Sequence, residues 1–471
     1  MKPARLISGA LLAAALGGCA VGPDYRPPVP PTGSTTPLVS TNAAVESTTE
    51  PPDAWWRLYD DAALDALVRQ AFSANADLAV AQANLSLARA SLETARNGLL
   101  PQTNINLGAK YGRDPATNEI LELTGRKPET IWVFDDVLDV SYELDLFGHV
   151  RRSLEASHAD AEAAIAARDS VKITVAAETI RAYAQVCALG EQIAVAKRSL
   201  EVVSRVADIA GRRHDAGAGS EFDMVRAQQI AAQARAVIAP LEGQRRAALF
   251  QLTAVLGKTP AQAPAEVQAC VAPPRLAAAM PVGDGASLLK RRPDVRLADR
   301  RLAAATARIG VATADLYPRI TLTGLYGGGA ASLPDLIGEP GLIWGVGPNI
   351  NWSFPNMTGP RARVHAAKAN AEAALAGFDS IVLQALKETE QSLATYSAEL
   401  DHRQALADAQ DKAQRALDMA HGQFTAGAAT TLDLLTSEQT LVAANAAIAA
   451  SDAAVVQDQV AVFKALGGGW R

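Results

Sequence analysis

The chain has 471 residues, of which 49% are hydrophobic but only 5% aromatic. That alanine-rich balance favours long, closely packed helices over a large globular core. A formal net charge of −6 argues against nucleic acid as a partner. The six histidines are dispersed, and no HExxH or CxxC spacing occurs, so neither an enzyme nor a metal or cofactor site is expected.

The N-terminus carries an address. Lys2 and Arg5 precede the apolar run 6–16 and then Leu16-Gly17-Gly18-Cys19. Residues 1–18 have the layout of a secretory signal peptide, too short to span a membrane. The LGGC sequence resembles a bacterial lipobox, which implies a covalent lipid on Cys19 as the new first residue. Ala20 follows in place of the aspartate that often retains such lipoproteins at the inner membrane, so an outer-membrane destination is favoured. Removing Lys2 and Arg5 takes the formal charge from −6 to −8. Residues 19–58 read as a lipid-anchored extended tether, rich in Pro, Thr and Ser up to residue 52. Trp55 and Trp56 open the ordered body by packing on neighbouring helices.

Residues 59–100 form short helices with a break near Ser73-Ala74-Asn75, ended by Gly98 and Pro101. Residues 101–147 form a first β-hairpin. Its strands are 102–112 and 137–147, with a loop to about residue 132. In the second strand Val140, Tyr142 and Leu144 face one way, and Ser141, Glu143 and Asp145 the other. Residues 148–257 form a first helical hairpin. Its long helix, 149–216, has only Gly190 and Gly211 as internal glycines and a coiled-coil seam at Leu189, Ile193, Ala196, Leu200, Val203, Ala207 and Ala210. The turn AGAGS (216–220) leads to a return helix, 221–256.

Residues 258–315 hold a connector and the short helices of a second half, in which Lys290-Arg291-Arg292 reads as a solvated helix start. Cys187 and Cys270 lie on the first long helix and in the connector. An oxidising periplasm permits a disulfide between them, but free thiols are preferred. Residues 316–355 form a second β-hairpin, with strands 319–326 and 344–354. Pro348 is unusual there, because proline removes a ladder donor. Residues 356–467 form a second helical hairpin: helix 358–425, turn AGAAT (426–430) and return helix 431–466. Residues 468–471 are a tail. Beyond the leader, no uninterrupted apolar stretch predicts a transmembrane helix.

The chain repeats itself. Residues 75–101 align with 292–318 at an offset of 217, and Asp223 with Asp433 at 210. Leu256-Gly257 aligns with Leu466-Gly467 at the same 210. This is a duplicated half-molecule, too long a period for a solenoid. Four strands with one apolar face cannot close a membrane barrel, and open edges are not tolerated in lipid. Eight strands from two copies would fill their own interior, whereas twelve from three leave a lumen. Polar residues such as Glu143, Asp145, Asn349 and Asn351 suit a wet one. The expected fold is mixed α and β: a homotrimeric twelve-stranded outer-membrane β-barrel continuous with a twelve-helix periplasmic α-barrel.

Several motifs carry a family resemblance: CAVGPDYRPP (19–28), WWRLYDDAALDALV (55–68), YELDLFG (142–148), RRPDVRLAD (291–299), LYPRITLTG (316–324) and AGAATTLDLLTSEQ (426–439). Together they resemble the TolC-like outer membrane factor family, in its NodT-like lipoprotein branch. The resemblance implies a passive exit duct for small molecules, served by a periplasmic adaptor and an inner-membrane RND-type pump and embedded in outer-membrane lipid. It also implies a periplasmic gate at Asp433, Leu432 and Asp223. The tip turns Gly217-Ala218-Gly219 and Gly427-Ala428-Ala429 would meet the adaptor. Thr436, Ala429 and Phe424 depart from acidic, arginine and tyrosine positions of studied members, so their closing ion pair is not expected; Arg212 or Arg213 could substitute. Both aspartates also suit helix capping. A type I protein secretion duct and a non-conducting trimeric structural lipoprotein stay open as alternatives.

Overall fold

The computed structural model describes residues 20–40, 45–46, 49–113, 119, 122–125, 127, 130–276, 278–336 and 341–468. The signal peptide, Cys19 and the last three residues lie outside them. In chain order the elements are β1 (Val45–Glu46), α1 (Ala62–Ala74), α2 (Ala76–Asn97), β2 (Gln102–Gly112), β3 (Ile131–Leu144), α3 (His149–Asp215), α4 (Glu221–Ala236) and α5 (Ile238–Val255). Then come α6 (Ala265–Gln268), β4 (Met280–Pro281), α7 (Gly285–Arg291), α8 (Pro293–Ala314), β5 (Arg319–Ala330), α9 (Leu333–Leu336), β6 (Leu342–Asn351), α10 (Thr358–Thr425) and α11 (Thr431–Ala465). Two compact units result, and the long helices contribute residues to both.

The first unit comprises residues up to 28, 84–164 and 297–378. Its sheet has the order β2-β3-β5-β6, antiparallel throughout. β3 begins at Ile131 rather than 137, and β5 runs on to Ala330 rather than 326. Alternation hid both extensions. Ile131 and Val133 put apolar side chains on the polar face, and Gly327, Gly328 and Gly329 have no side chain to pattern. Gly327 packs so close that a β-carbon there would sit 1.8 Å from the carbonyl oxygen of Asp136.

The N-terminal segment of this unit is extended but held. Arg152, its side chain 6% exposed, donates to the carbonyls of Val21 and Gly22 and to Asp24. Val21 N–H donates to Phe147 O at 3.1 Å. Tyr25 donates its hydroxyl to Asp299, and the Arg300 guanidinium lies 5.5 Å from the Tyr25 ring centre.

The second unit comprises residues 29–83, 165–296 and 379–471. Trp55 and Trp56 are buried in its core, as expected, and Trp55 stacks on Phe463 at 4.4 Å. The break between α1 and α2 falls at Asn75, whose side-chain amide donates to Val255 O at 3.0 Å. The seam of α3 is buried at Leu189, Ile193, Val203 and Ala210.

Three expectations need correction in this unit. The first return helix is not continuous: it breaks at Val237, and Pro240 lies in the first turn of α5, where its missing N–H leaves no gap in the ladder. Arg292 is not solvated. It is 7% exposed and donates to Asp294, Glu388 and the carbonyl of Ala465, and it helps line a cavity of about 510 Å³. Cys187 and Cys270 are not free: they form a disulfide across a Cα separation of 4.8 Å. Gly190 explains itself here, since a β-carbon would come within 2.3 Å of Cys270 O.

Among the described residues, Leu432–Ala465 of α11 is long and apolar enough to cross a membrane, with a mean hydropathy of 1.3. Part of that apolarity packs against protein, with 28% of the most apolar stretch buried within the chain. Val456, Val460 and Phe463 are buried in the core, and Gln459 donates to the Tyr396 hydroxyl.

Candidate conduit and gate residues

Strand register sorts the sheet into two faces. Directly opposed residues in antiparallel strands share a face. Ile105 opposes Leu138, Leu138 opposes Tyr326, and Tyr326 opposes Trp344. With Leu107, Val346 and Ile350 they make an apolar face; Leu107, Trp344 and Val346 are each more than 70% exposed. Such a surface is far larger than a soluble monomer leaves in water.

The other face carries Asn104, Asn106, Lys110, Asp135, Asp139, Glu143, Arg319, Thr321, Thr323, Asn349 and Asn351. Asn106 donates to Asp139 at 2.8 Å. The sequence does not single out Asp135 and Asp139, because Val133 and Val137 share their face of β3 and interrupt its polar pattern. Asp145 is not on this face. It follows the strand and accepts hydrogen bonds from the N–H groups of Val150 and Arg151, capping α3. One acid departs from the pattern: Asp136 shares the apolar face, with a buried oxygen that has no hydrogen-bond partner among the described residues.

Where strands pass into helices, aromatic side chains gather. Trp352 stacks on Phe354 at 4.7 Å and Phe147 on Tyr317 at 4.6 Å. At the opposite strand ends, Tyr111, Trp132 and Phe134 form a second group. Two aromatic groups flanking an apolar band are the pattern of a membrane-spanning barrel wall. Beside the first lies a polar cavity of about 240 Å³, lined by Glu143, His149, Asp315, Arg319 and Arg363.

The tip turns lie in the second unit and are built alike. Gly217 and Gly427 adopt φ of 69° and 75°, the left-handed region that favours glycine. Gly217 N–H donates to His214 O and Ala218 N–H to Arg213 O, both at 2.8 Å. Gly427 N–H to Phe424 O and Ala428 N–H to Gln423 O repeat the pattern. Each helix thus ends in a Schellman motif. Gly219 packs against Arg213 and His214, while Ala429 takes its place in the second turn.

Ser220 and Thr430 cap the two helices, and each candidate aspartate stands at the third position of its helix and bonds back to the cap. Asp433 accepts from Thr430 N–H at 2.8 Å and from the Thr430 hydroxyl at 2.6 Å, and its own N–H donates back at 3.2 Å. These bonds hold its carboxyl below the usual range. Asp223 accepts from the Ser220 hydroxyl at 2.6 Å. Leu432 is 39% and Phe222 69% exposed. The structure also brings Arg213 to Phe424, its guanidinium carbon 5.8 Å from the ring centre, so one of the two arginines named from sequence bridges the turns. Among the described residues, no group of His, Cys, Asp or Glu side chains could hold a metal ion.

The model of the family described as outer membrane efflux protein matches residues 67–258 and 286–468. The chain belongs to that family, which is one of outer-membrane channels rather than enzymes. It is therefore an outer-membrane exit duct for efflux. The pyoverdine export outer membrane protein OpmQ of Pseudomonas aeruginosa is 30% identical over 433 residues, covering 88% of this chain and 87% of its own. Nodulation protein T of Rhizobium leguminosarum bv. viciae is 26% identical, covering 98% and 93%. The solved outer-membrane channel OprN is 33% identical, with a TM-score of 0.87, covering 96% of this chain and all of its own.

Proposed function

We propose that three copies of this chain assemble into a passive duct, with four strands from each making a twelve-stranded barrel in the outer membrane. The observation that carries this is a four-stranded sheet whose edge strands, β2 and β6, are each paired on one side only among the described residues, while one face is apolar. Open edges and lipid are incompatible, and β6 of one copy can pair antiparallel with β2 of the next. The polar faces then line the lumen. A lipid on Cys19 anchors each copy, and the helices form the periplasmic part. The turns at 217–219 and 427–429 meet a periplasmic adaptor, and substrates arrive from an inner-membrane pump of the RND type. Asp433, Leu432 and Asp223 narrow the periplasmic end. No cofactor beyond the lipid is required.

Names of relatives such as the toluene efflux pump outer membrane protein TtgF of Pseudomonas putida favour small-molecule efflux over protein secretion. The test is the mass of the detergent-purified chain by light scattering, followed by planar-bilayer conductance. Three copies and stable conductance are expected. A monomer, or silence at every voltage even after Asp433→Ala, would sink the proposal.

A further inference from the structure

The segment between Gly257 and Pro293 joins the two halves of the chain, and it is pinned. Cys270 is bonded to Cys187 of α3, 83 residues away in sequence. Arg245 of α5 donates to the carbonyls of Gln268 and Cys270, both at 2.7 Å. Gly190 leaves the space that lets Cys270 O approach α3. A little further on, Arg275 donates to Asp452 of α11 at 2.8 Å, and Arg403 of α10 bonds the other oxygen of the same carboxylate. Asp452 is 8% exposed.

Between Cys270 and Arg275 stand Val271, Ala272, Pro273 and Pro274, and both prolines are buried. Proline fixes φ, so a short stretch with two of them transmits the position of Cys270 to Arg275. Arg275 itself is 60% exposed at its side chain, and besides Asp452 the Glu191 carboxylate of α3 attracts it. An exposed arginine loses rotamer freedom when it pairs, and that cost falls when its backbone is already fixed.

We propose that the Cys187–Cys270 disulfide is a clasp that acts through Arg275: it holds the connector so that Arg275 pairs with Asp452, tying the first half of the chain to the second. Arg275 is a positioning residue. Closing the clasp joins two thiols in one S–S bond. Two protons and two electrons leave them, and a disulfide-bearing oxidant takes these up as it becomes a dithiol. The bond between halves is thereby tied to an oxidising compartment.

The test is a double-mutant cycle on the full chain in detergent, read as the thermal midpoint by circular dichroism. Arg275→Gln should lower the midpoint by a few degrees when the disulfide is present. In a chain carrying Cys187→Ala and Cys270→Ser, the same change should cost less than half as much, because Arg275 is no longer held. Equal shifts in both backgrounds overturn the proposal. Should the cysteine variants fail to fold, the folded parent and the folded Arg275→Gln chain are each reduced with dithiothreitol and compared again, with the same two outcomes. Alkylation of the denatured, unreduced chain should leave Cys187 and Cys270 unmodified; free thiols at both positions also overturn it.

Discussion

Asn75 and Arg292 do the same task in the two halves of the chain. Asn75 donates its amide to Val255 O at 3.0 Å, and Arg292 donates to Ala465 O at 2.7 Å. Each residue precedes a short helix, and each acceptor lies at the end of a return helix. The following glycines, Gly257 and Gly467, allow the close approach. A β-carbon would lie 2.2 Å from Ala74 O in one half and 2.9 Å from Arg292 Cγ in the other. The duplication has kept the joint and changed its chemistry, since Arg292 also holds Asp294 and Glu388.

Replacing Arg292 should therefore separate the two roles. Arg292→Met removes the joint and leaves Ala465 O without its donor, a loss of about 1–3 kcal/mol; Asp294 and Glu388, 34% and 41% exposed, keep access to water. Arg292→Asn restores the bond to Ala465 O and should recover about 1 kcal/mol. Denaturant unfolding in detergent measures both. Equal stability of the two variants would show that the joint contributes nothing.

The tip contact between Arg213 and Phe424 predicts an effect on opening. A cation over an aromatic ring contributes about 0.5–1 kcal/mol at an exposed site, or roughly a two- to fivefold change in an open–closed ratio. Phe424→Leu should raise the open fraction in single-channel records by about that factor, and Phe424→Tyr should leave it near the parent. If Leu and Tyr behave alike, the ring is not what matters.

Asp433 predicts ion preference. In the proposed trimer, three Asp433 carboxylates would meet at the narrowing, and such a ring of ionised carboxylates attracts cations. The Thr430 hydrogen bonds favour the ionised form. The reversal potential in a salt gradient should show cation preference, reduced by Asp433→Asn. Thr430→Val, which weakens the cap and leaves the charge, should keep it. Anion preference in the parent channel would refute the idea.

Acid should release the segment at Val39 and Ser40. Both N–H groups donate to Glu390, at 2.7 and 2.8 Å. Burial pushes the Glu390 carboxyl up, but those hydrogen bonds outweigh it and leave the carboxyl below its ordinary value. A lowered folded pKa means the contribution is present above the unfolded value and is lost as pH falls through the folded one. Hydrogen exchange at these two amides, corrected for intrinsic rate, should show protection at neutral pH and its loss in acid below the carboxylate range. Glu390→Gln should lack the pH step. Unchanged protection across that range would refute the linkage.

Much of the architecture was legible because helix signals accumulate over length. The second long helix falls at the expected residues 358–425, and the first ends one residue early. Strand ends were less legible. Glycine carries no side chain to alternate, and Ile131 and Val133 break the polar pattern of their face, so β3 and β5 were read short. Contacts distant in sequence were least legible. Nothing near Arg292 announces Glu388, and nothing near Cys187 announces Cys270. A tertiary partner decides both, and a single sequence does not display it. The helix-start role of Asp223 and Asp433 was legible because an acid in the first turn suits the helix dipole, whereas their bonds to Ser220 and Thr430 are seen in the structure.

The two return helices differ in mechanics as well as in sequence. α11 is one unbroken rod of 35 residues, whereas its counterpart is jointed at Val237 into pieces of 16 and 18. A rod resists bending along its whole length, and a joint concentrates bending at one point. Val237 itself keeps helical angles, φ −73° and ψ −25°, so the two pieces run on with little change of backbone, and a force on the tip turns would bend this helix first where its hydrogen-bond ladder lapses.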